Sequence, residues 1–246
     1  MPQFVGDVFG LNTVYEKQVL NVDQKNFASW PESGLYGYFG SGFIPTPANI
    51  STIDRLDFSN ETVSTPSPKL STAKGGLAAT SSSSYGYFGG GITPTPTAIS
   101  TIDRLDFSNE TVTTPSPKLS TAKSYLAATS SSSYGYFGGG FTISTIDRLD
   151  FSNETVTTPS PKLSTEKFRL AATSSSSYGY FGGCYNPLIS TIDRLDFSNE
   201  TVSTPSPKLS AVKGDLAATS SSSYGYFGGG AIPIISTIDR LDFSNE

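Results

Sequence analysis

The chain has 246 residues, no histidine, one cysteine and a formal net charge of −5. Without histidine neither a Ser–His–Asp nor a Cys–His arrangement can be built, and the lone Cys184 excludes an intramolecular disulfide. No basic field is present to hold a nucleic-acid backbone, and no apolar run approaches the roughly 18 residues of a membrane span, so neither nucleic-acid binding nor membrane insertion is expected.

The opening run Met1-Pro2-Gln3-Phe4-Val5-Gly6-Asp7 lacks the basic and apolar regions of a signal peptide. From Tyr36 onward one block of sequence is written five times. Tyr-Gly-Tyr-Phe-Gly starts at Tyr36, Tyr85, Tyr134, Tyr178 and Tyr224, and Ser-Thr-Ile-Asp-Arg-Leu-Asp-Phe-Ser-Asn-Glu starts at Ser51, Ser100, Ser144, Ser190 and Ser236. Repeats of this length are the mark of stacked units or propeller blades. The sequence therefore divides into residues 1–35 and a five-repeat unit over 36–246, read together as a single domain.

Within one repeat, Tyr85-Gly86-Tyr87-Phe88-Gly89 alternates bulky and small residues at period two and ends in glycine, which predicts a strand running into a turn, strand B. Thr101 to Phe107 is rich in β-branched and apolar residues and is followed by the turn signal Ser108-Asn109-Glu110, which predicts strand C. Thr111 to Pro117 carries two prolines that cannot donate to a ladder and belongs at a sheet edge, strand D. Leu126 to Ser130 is small enough for a crowded interior, strand A. Four strands per repeat with the proline-bearing one outermost is a propeller blade, so the expected fold is all-β, a five-bladed β-propeller of four-stranded blades.

B and C occur five times but clear D and A segments only four times. Shifting residues 1–35 forward by one repeat, the distance from Tyr36 to Tyr85, places Thr13-Val14 on Thr62-Val63 and Lys25 on Lys74 without a gap. The N-terminal segment is thus expected to supply the missing pair, its stretch from Thr13 to Val22 completing the C-terminal blade and clasping the ring; the alternative is an open solenoid or a ring shared between chains.

The order of these signals resembles the kelch repeat. Lys74, then the small strand Leu77-Ala78-Ala79-Thr80, then Tyr85 to Gly90 with its double glycine, then Asp103-Arg104-Leu105-Asp106-Phe107 follow that family's pattern, although the family's tryptophan is missing from every copy. The resemblance implies a kelch-like propeller. The near-verbatim runs Gly-Tyr-Phe-Gly-Gly-Gly, Ser-Thr-Ile-Asp-Arg-Leu-Asp-Phe-Ser-Asn and Leu-Ala-Ala-Thr over residues 36–246 also resemble repeats of virion-associated proteins of tailed bacteriophages. That resemblance implies a fibre, tail or capsid-surface protein located in the virion, one that contacts the host or decorates the particle. Its implied partners are other virion proteins and a host-surface glycan or receptor, with homo-oligomerisation inside an assembly.

Length variation among the copies is confined to one loop. The stretches from Ile53 to Tyr85, Ile102 to Tyr134, Ile146 to Tyr178 and Ile192 to Tyr224 are all equal in length, whereas the stretch from Tyr36 to Ile53 is longer than that from Tyr134 to Ile146. The pair after the lysine also varies: Gly75-Gly76, Ser124-Tyr125, Phe168-Arg169, Gly214-Asp215. These are the B–C and D–A connections, which leave an up-and-down blade at the same end, so one face of the disc varies. Varied loops on a rigid scaffold are the usual place for recognition. The candidate ligand-binding residues on that face are Phe43, Tyr125, Phe141, Phe168, Arg169, Tyr185 and Asn186, able to stack on sugar rings or anchor a protein.

The invariant ions are read differently. Arg55 and Asp57, Arg104 and Asp106, Arg148 and Asp150, Arg194 and Asp196, and Arg240 and Asp242 are expected to be structural, satisfying one another between blades. Asp54, Asp57 and Asn60 lack the glycine turn and bidentate glutamate of a calcium loop, so neither a metal nor a cofactor is expected. Carboxylates repeated identically five times do not supply one acid and one base in distinct environments, which argues against a glycosidase and against enzymatic function. The alternative to a virion display protein is a cellular kelch-type interaction scaffold or lectin.

Overall fold

The structure is a computed structural model that describes residues 36–43, 49–231 and 234–246. Among them there is no helix, and the strands form five antiparallel blades arranged as a five-bladed β-propeller. Blade 1 holds β1 (Tyr36–Phe43), β2 (Asn49–Asp57) and β3 (Thr62–Ser64). Blade 2 holds β4 (Ala78–Ser81), β5 (Tyr85–Gly89), β6 (Ile99–Asp106) and β7 (Val112–Thr113), with β8 (Lys118–Lys123) pairing β6 from outside that path. Blade 3 holds β9 (Ala127–Ser130), β10 (Tyr134–Gly138), β11 (Ile146–Asp150) and β12 (Val156–Thr157). Blade 4 holds β13 (Ala171–Ser174), β14 (Tyr178–Tyr185), β15 (Leu188–Asp196) and β16 (Val202–Ser203), and blade 5 holds β17 (Ala217–Ser220), β18 (Tyr224–Gly228) and β19 (Ile238–Asp242).

The strands expected from sequence form in the expected order A-B-C-D. The innermost strands β4, β9, β13 and β17 pack against one another in succession, and their alanines and threonines leave room for that approach. Strand D is shorter than its sequence segment: β7 is two residues, because Pro115 and Pro117 cannot extend the ladder beyond it. β8 is an addition to the four expected strands. It exists because the connection to the next blade runs back along strand C, a contact reduced elsewhere to single bridges such as Thr52 with Lys69 and Thr145 with Lys162. Blade 1 lacks an inner strand and blade 5 an outer one among the described residues. The N-terminal clasp expected to supply them lies outside those residues.

Alternation within strand B decides where the core sits. The tyrosines and the final glycine face the next blade, and the phenylalanine faces the preceding one. Phe88, Phe137, Phe181 and Phe227 therefore lie on Gly40, Gly89, Gly138 and Gly182 of the blade before, and a methyl group at Gly138 would come within 2.6 Å of the Phe181 ring. The hydrophobic clusters straddle the seams accordingly. Tyr87 and Ile102 of blade 2 are buried together with Leu119, Phe137 and Leu149, which belong to the connection and to blade 3. The same pattern joins blade 3 to blade 4 and blade 4 to blade 5. Burial thus holds blades to one another as much as strands within a blade.

Candidate functional site

The two variable connections meet at one end of the blades. The B–C loop and the D–A pair exchange backbone bonds: Ile92 with Gly75 in both directions, Phe141 N–H to Ser124 O at 3.1 Å, and Tyr185 N–H to Phe168 O at 3.0 Å. The second residue of each D–A pair has a left-handed backbone, with φ of 58° at Gly76, 57° at Tyr125, 54° at Arg169 and 55° at Asp215. This geometry aims each N–H at the carbonyl of its predecessor, giving Tyr125 to Gly76 at 2.6 Å, Arg169 to Tyr125 at 2.8 Å and Asp215 to Arg169 at 2.8 Å. A run of three hydrogen bonds thus links the four D–A connections. Left-handed backbone costs a side-chain-bearing residue roughly 1–2 kcal/mol, and three of the four positions nonetheless carry a large or charged side chain.

Those side chains form a continuous belt. Phe141 and Phe168 make an edge contact with centroids 5.3 Å apart, and Phe168 meets Tyr185 at 5.6 Å. The Arg169 guanidinium is held between two rings, 4.8 Å from Tyr125 and 4.8 Å from Tyr185, and its Nη1 bonds Asp215 Oδ2 at 2.8 Å. Burial lowers the guanidinium's proton affinity, Asp215 restores it, and the net shift is upward, so Arg169 stays charged. Phe141 is 58 % exposed at the outer end of the belt. Five of the seven sequence-predicted residues are thus brought together: Tyr125, Phe141, Phe168, Arg169 and Tyr185. Asn186 sits exposed at the tip of the β14–β15 loop, and Phe43 ends β1 opposite Asn49 in a blade remote in sequence from the belt. Asp215 is the residue that sequence reasoning missed. Its place after the lysine of the fifth repeat, equivalent to Arg169, was the available signal.

No protein-family model and no curated protein matches this chain.

The invariant ions lie away from this face and have a different logic from the expected one. Arg55, Arg104, Arg148 and Arg194 each reach the next blade, and the partner there is the turn glutamate, not the aspartate two residues on. Arg55 pairs with Glu110 at 2.8 Å, Arg104 with Glu154 at 2.8 Å, Arg148 with Glu200 at 2.7 Å and Arg194 with Glu246 at 3.4 Å. The second tyrosine of strand B donates its hydroxyl to the same glutamate, for example Tyr38 to Glu110 at 3.0 Å and Tyr180 to Glu246 at 2.6 Å. Burial first, then the glutamate, pushes the phenols of Tyr38 and Tyr180 well above their ordinary range. The aspartates instead fold their own turns: Asp57, Asp106, Asp150, Asp196 and Asp242 accept from the hydroxyl and N–H of the serine two residues on, which holds their carboxyls below the usual range. Arg240 lies over Tyr224 at 4.5 Å.

A second set of ions, unforeseen as pairs, is buried. Lys74, Lys123, Lys167 and Lys213 lie 3.1, 3.1, 3.0 and 2.8 Å from Asp103, Asp147, Asp193 and Asp239. The first three pairs are fully buried on both sides, and desolvation pulls the ammonium groups of Lys74, Lys123 and Lys167 down while their aspartates oppose it. Each lysine arrives on the connection from the preceding blade. The signal for this role was the unvarying distance from each lysine to the first tyrosine of the following strand B, the same from Lys74 to Tyr85 as from Lys213 to Tyr224.

Proposed function

We propose that this chain is a non-enzymatic virion protein of a tailed phage, a kelch-like propeller that displays its variable face for recognition of a host-surface glycan or protein. The observation that carries the reading is the belt from Phe141 through Phe168, Tyr185 and Arg169 to Tyr125, the place where copies that are otherwise near-identical diverge in sequence and join in space. Flat apolar rings beside a fixed guanidinium and carboxylate offer stacking and directed hydrogen bonds at once, the combination that holds a pyranose ring or a protein side chain. The virion part rests on the resemblance of the repeats to phage virion proteins. Five like blades support display with little call for a unique reacting centre.

The experiment is binding to a panel of host-envelope glycans and to intact host cells, with Phe141→Ala and Tyr185→Ala as probes. Loss of binding of about tenfold or more with an unchanged melting temperature supports the face, since a truncated binding anchor typically costs about 1 kcal/mol or more. Binding unaffected by both substitutions removes it. Co-purification with phage particles tests the virion reading, and recovery with a cellular partner instead favours an ordinary kelch-type scaffold, the reading that the repeat order alone would support.

A further inference from the structure

The A–B and C–D turns lie at the end of the blades opposite the variable connections, and they flank a groove at the seam between neighbouring blades. Between blades 2 and 3 the groove has a volume of about 420 Å³, lined by Ser84 and Tyr85 of one blade and by Ser133, Tyr134, Asp150 and Phe151 of the next. Between blades 3 and 4 it has about 430 Å³, with Ser177, Tyr178, Asp196 and Phe197 on its far side. Ser133 and Tyr134 line both grooves, so one turn is a shared wall. Volumes of about 300–1,000 Å³ are usual for small-ligand sites. Blade 5 repeats the same residues as Ser223, Tyr224, Asp242 and Phe243.

The serine runs hold more hydroxyls than the turns need. One serine folds each turn: Ser82 Oγ accepts from the N–H groups of Ser84 and Tyr85 at 3.3 and 3.0 Å, and Ser131, Ser175 and Ser221 do the same in theirs. The hydroxyls of Ser84, Ser132, Ser133 and Ser177 bond to nothing among the described residues, and all four serines are exposed at the grooves. Yet Thr-Ser-Ser-Ser-Ser-Tyr is written identically from Thr80, Thr129, Thr173 and Thr219, while the opposite ends of the same blades diverge. Folding requires the first of these side chains and leaves the later ones without a task. Beside them the carboxylate of Asp150 is held in place, its Oδ1 accepting from Ser152 N–H at 2.8 Å and from Ser152 Oγ at 2.6 Å. Neither groove is lined by a lysine or an arginine.

We propose that the seam grooves of the constant face are repeated binding sites for a neutral carbohydrate, distinct from the belt on the variable face. Each serine hydroxyl both donates and accepts, which matches the hydroxyl array of a sugar ring, and the fixed carboxylate accepts from sugar hydroxyls without reorganising. The tyrosine and phenylalanine rings supply the apolar part of the walls. A carboxylate with no cation beside it on the walls repels anionic ligands, so uronates, sialic acids and phosphates are excluded. Identical sites at successive seams suit a ligand that itself repeats, such as a polysaccharide, whose weak single contacts add through avidity. The two faces then differ in kind: one presents a single belt, and the other presents the same groove again and again.

The test uses the full chain on an array of neutral hexose and N-acetylhexosamine oligosaccharides, with sialylated and uronate-bearing counterparts beside them. Binding to neutral members is expected, and native mass spectrometry with the tightest of them should count at least two ligands per chain, one for each groove. Ser133→Trp, which fills both grooves from an exposed position, and Asp150→Asn, which keeps the turn's acceptor but removes the charge, should each weaken binding about tenfold or more, since a hydrogen bond to a charged group is among the stronger kind. Phe141→Ala and Tyr185→Ala should leave this binding unchanged. No binding to any neutral member, a preference for the acidic glycans, or a single ligand per chain overturns the proposal. Binding that survives both groove substitutions but is lost with Phe141→Ala also overturns it, and assigns the sugar to the variable face instead.

Discussion

At the scale of single residues, the seams leave little room for change. Gly138 must lack a side chain because the Phe181 ring occupies the place of its Cβ, with Cε1 at 2.6 Å. Gly138→Ala should cost about 1–3 kcal/mol by overpacking, read from chemical denaturation. The tyrosines that donate to interblade glutamates give the protein an alkaline limit. Their folded-state phenols hold the proton above the ordinary tyrosine value, so stability is intact below about pH 10 and falls as pH rises through and beyond it, when unfolded chains ionise first. An ultraviolet titration should show these four phenols ionising only with loss of the fold; ionisation of all tyrosines together near pH 10 in a folded chain would contradict it. The glycines and tyrosines of strand B were legible in the sequence, but which carboxylate each arginine and tyrosine meets was not. Glu154 is 50 residues from Arg104, and only the stacking of blades brings it to 2.8 Å.

At the scale of elements, two kinds of ion pair join neighbouring blades and differ in worth. The Arg104–Glu154 pair keeps about a quarter of each side chain exposed, so the pair itself contributes no more than about 1 kcal/mol after solvent screening, and Glu154→Ala, which also removes the acceptor of the Tyr87 hydroxyl, should cost about 1–3 kcal/mol. Lys123 and Asp147 are fully buried, and the aspartate also accepts from Ser120 and Thr158. Lys123→Ala strands that carboxylate in the core and should cost about 3–5 kcal/mol, measured by thermal or denaturant unfolding. A smaller effect than that of Glu154→Ala would show that the buried pair is not a clamp. Strands were legible because period-two alternation and glycine or proline punctuation are local. The short strand D and the returning β8 were not, since their extent depends on how far the connection can follow strand C before crossing to the next blade.

At the scale of the whole molecule, the five blades are a series in which each buries the apolar face of the last, and the two ends of the series are the weak point. Removing residues 1–25 should lower the melting temperature sharply, and an unchanged melt would show that the segment plays no part in closing the ring. Among the described residues no helix is long and apolar enough to cross a membrane. The sequence alone determined the five-bladed all-β architecture, the order of strands in each blade and the end of the disc where variation gathers, because repeats report spacing and alternation directly. Tertiary structure alone decided that Phe141, Phe168, Arg169, Tyr185 and Tyr125 form one belt while Asn186 stands apart, and that arginine meets glutamate across a seam while lysine meets aspartate in the core. These contacts join residues tens of positions apart, and their geometry follows from how one blade is rotated against the next, which no local pattern encodes.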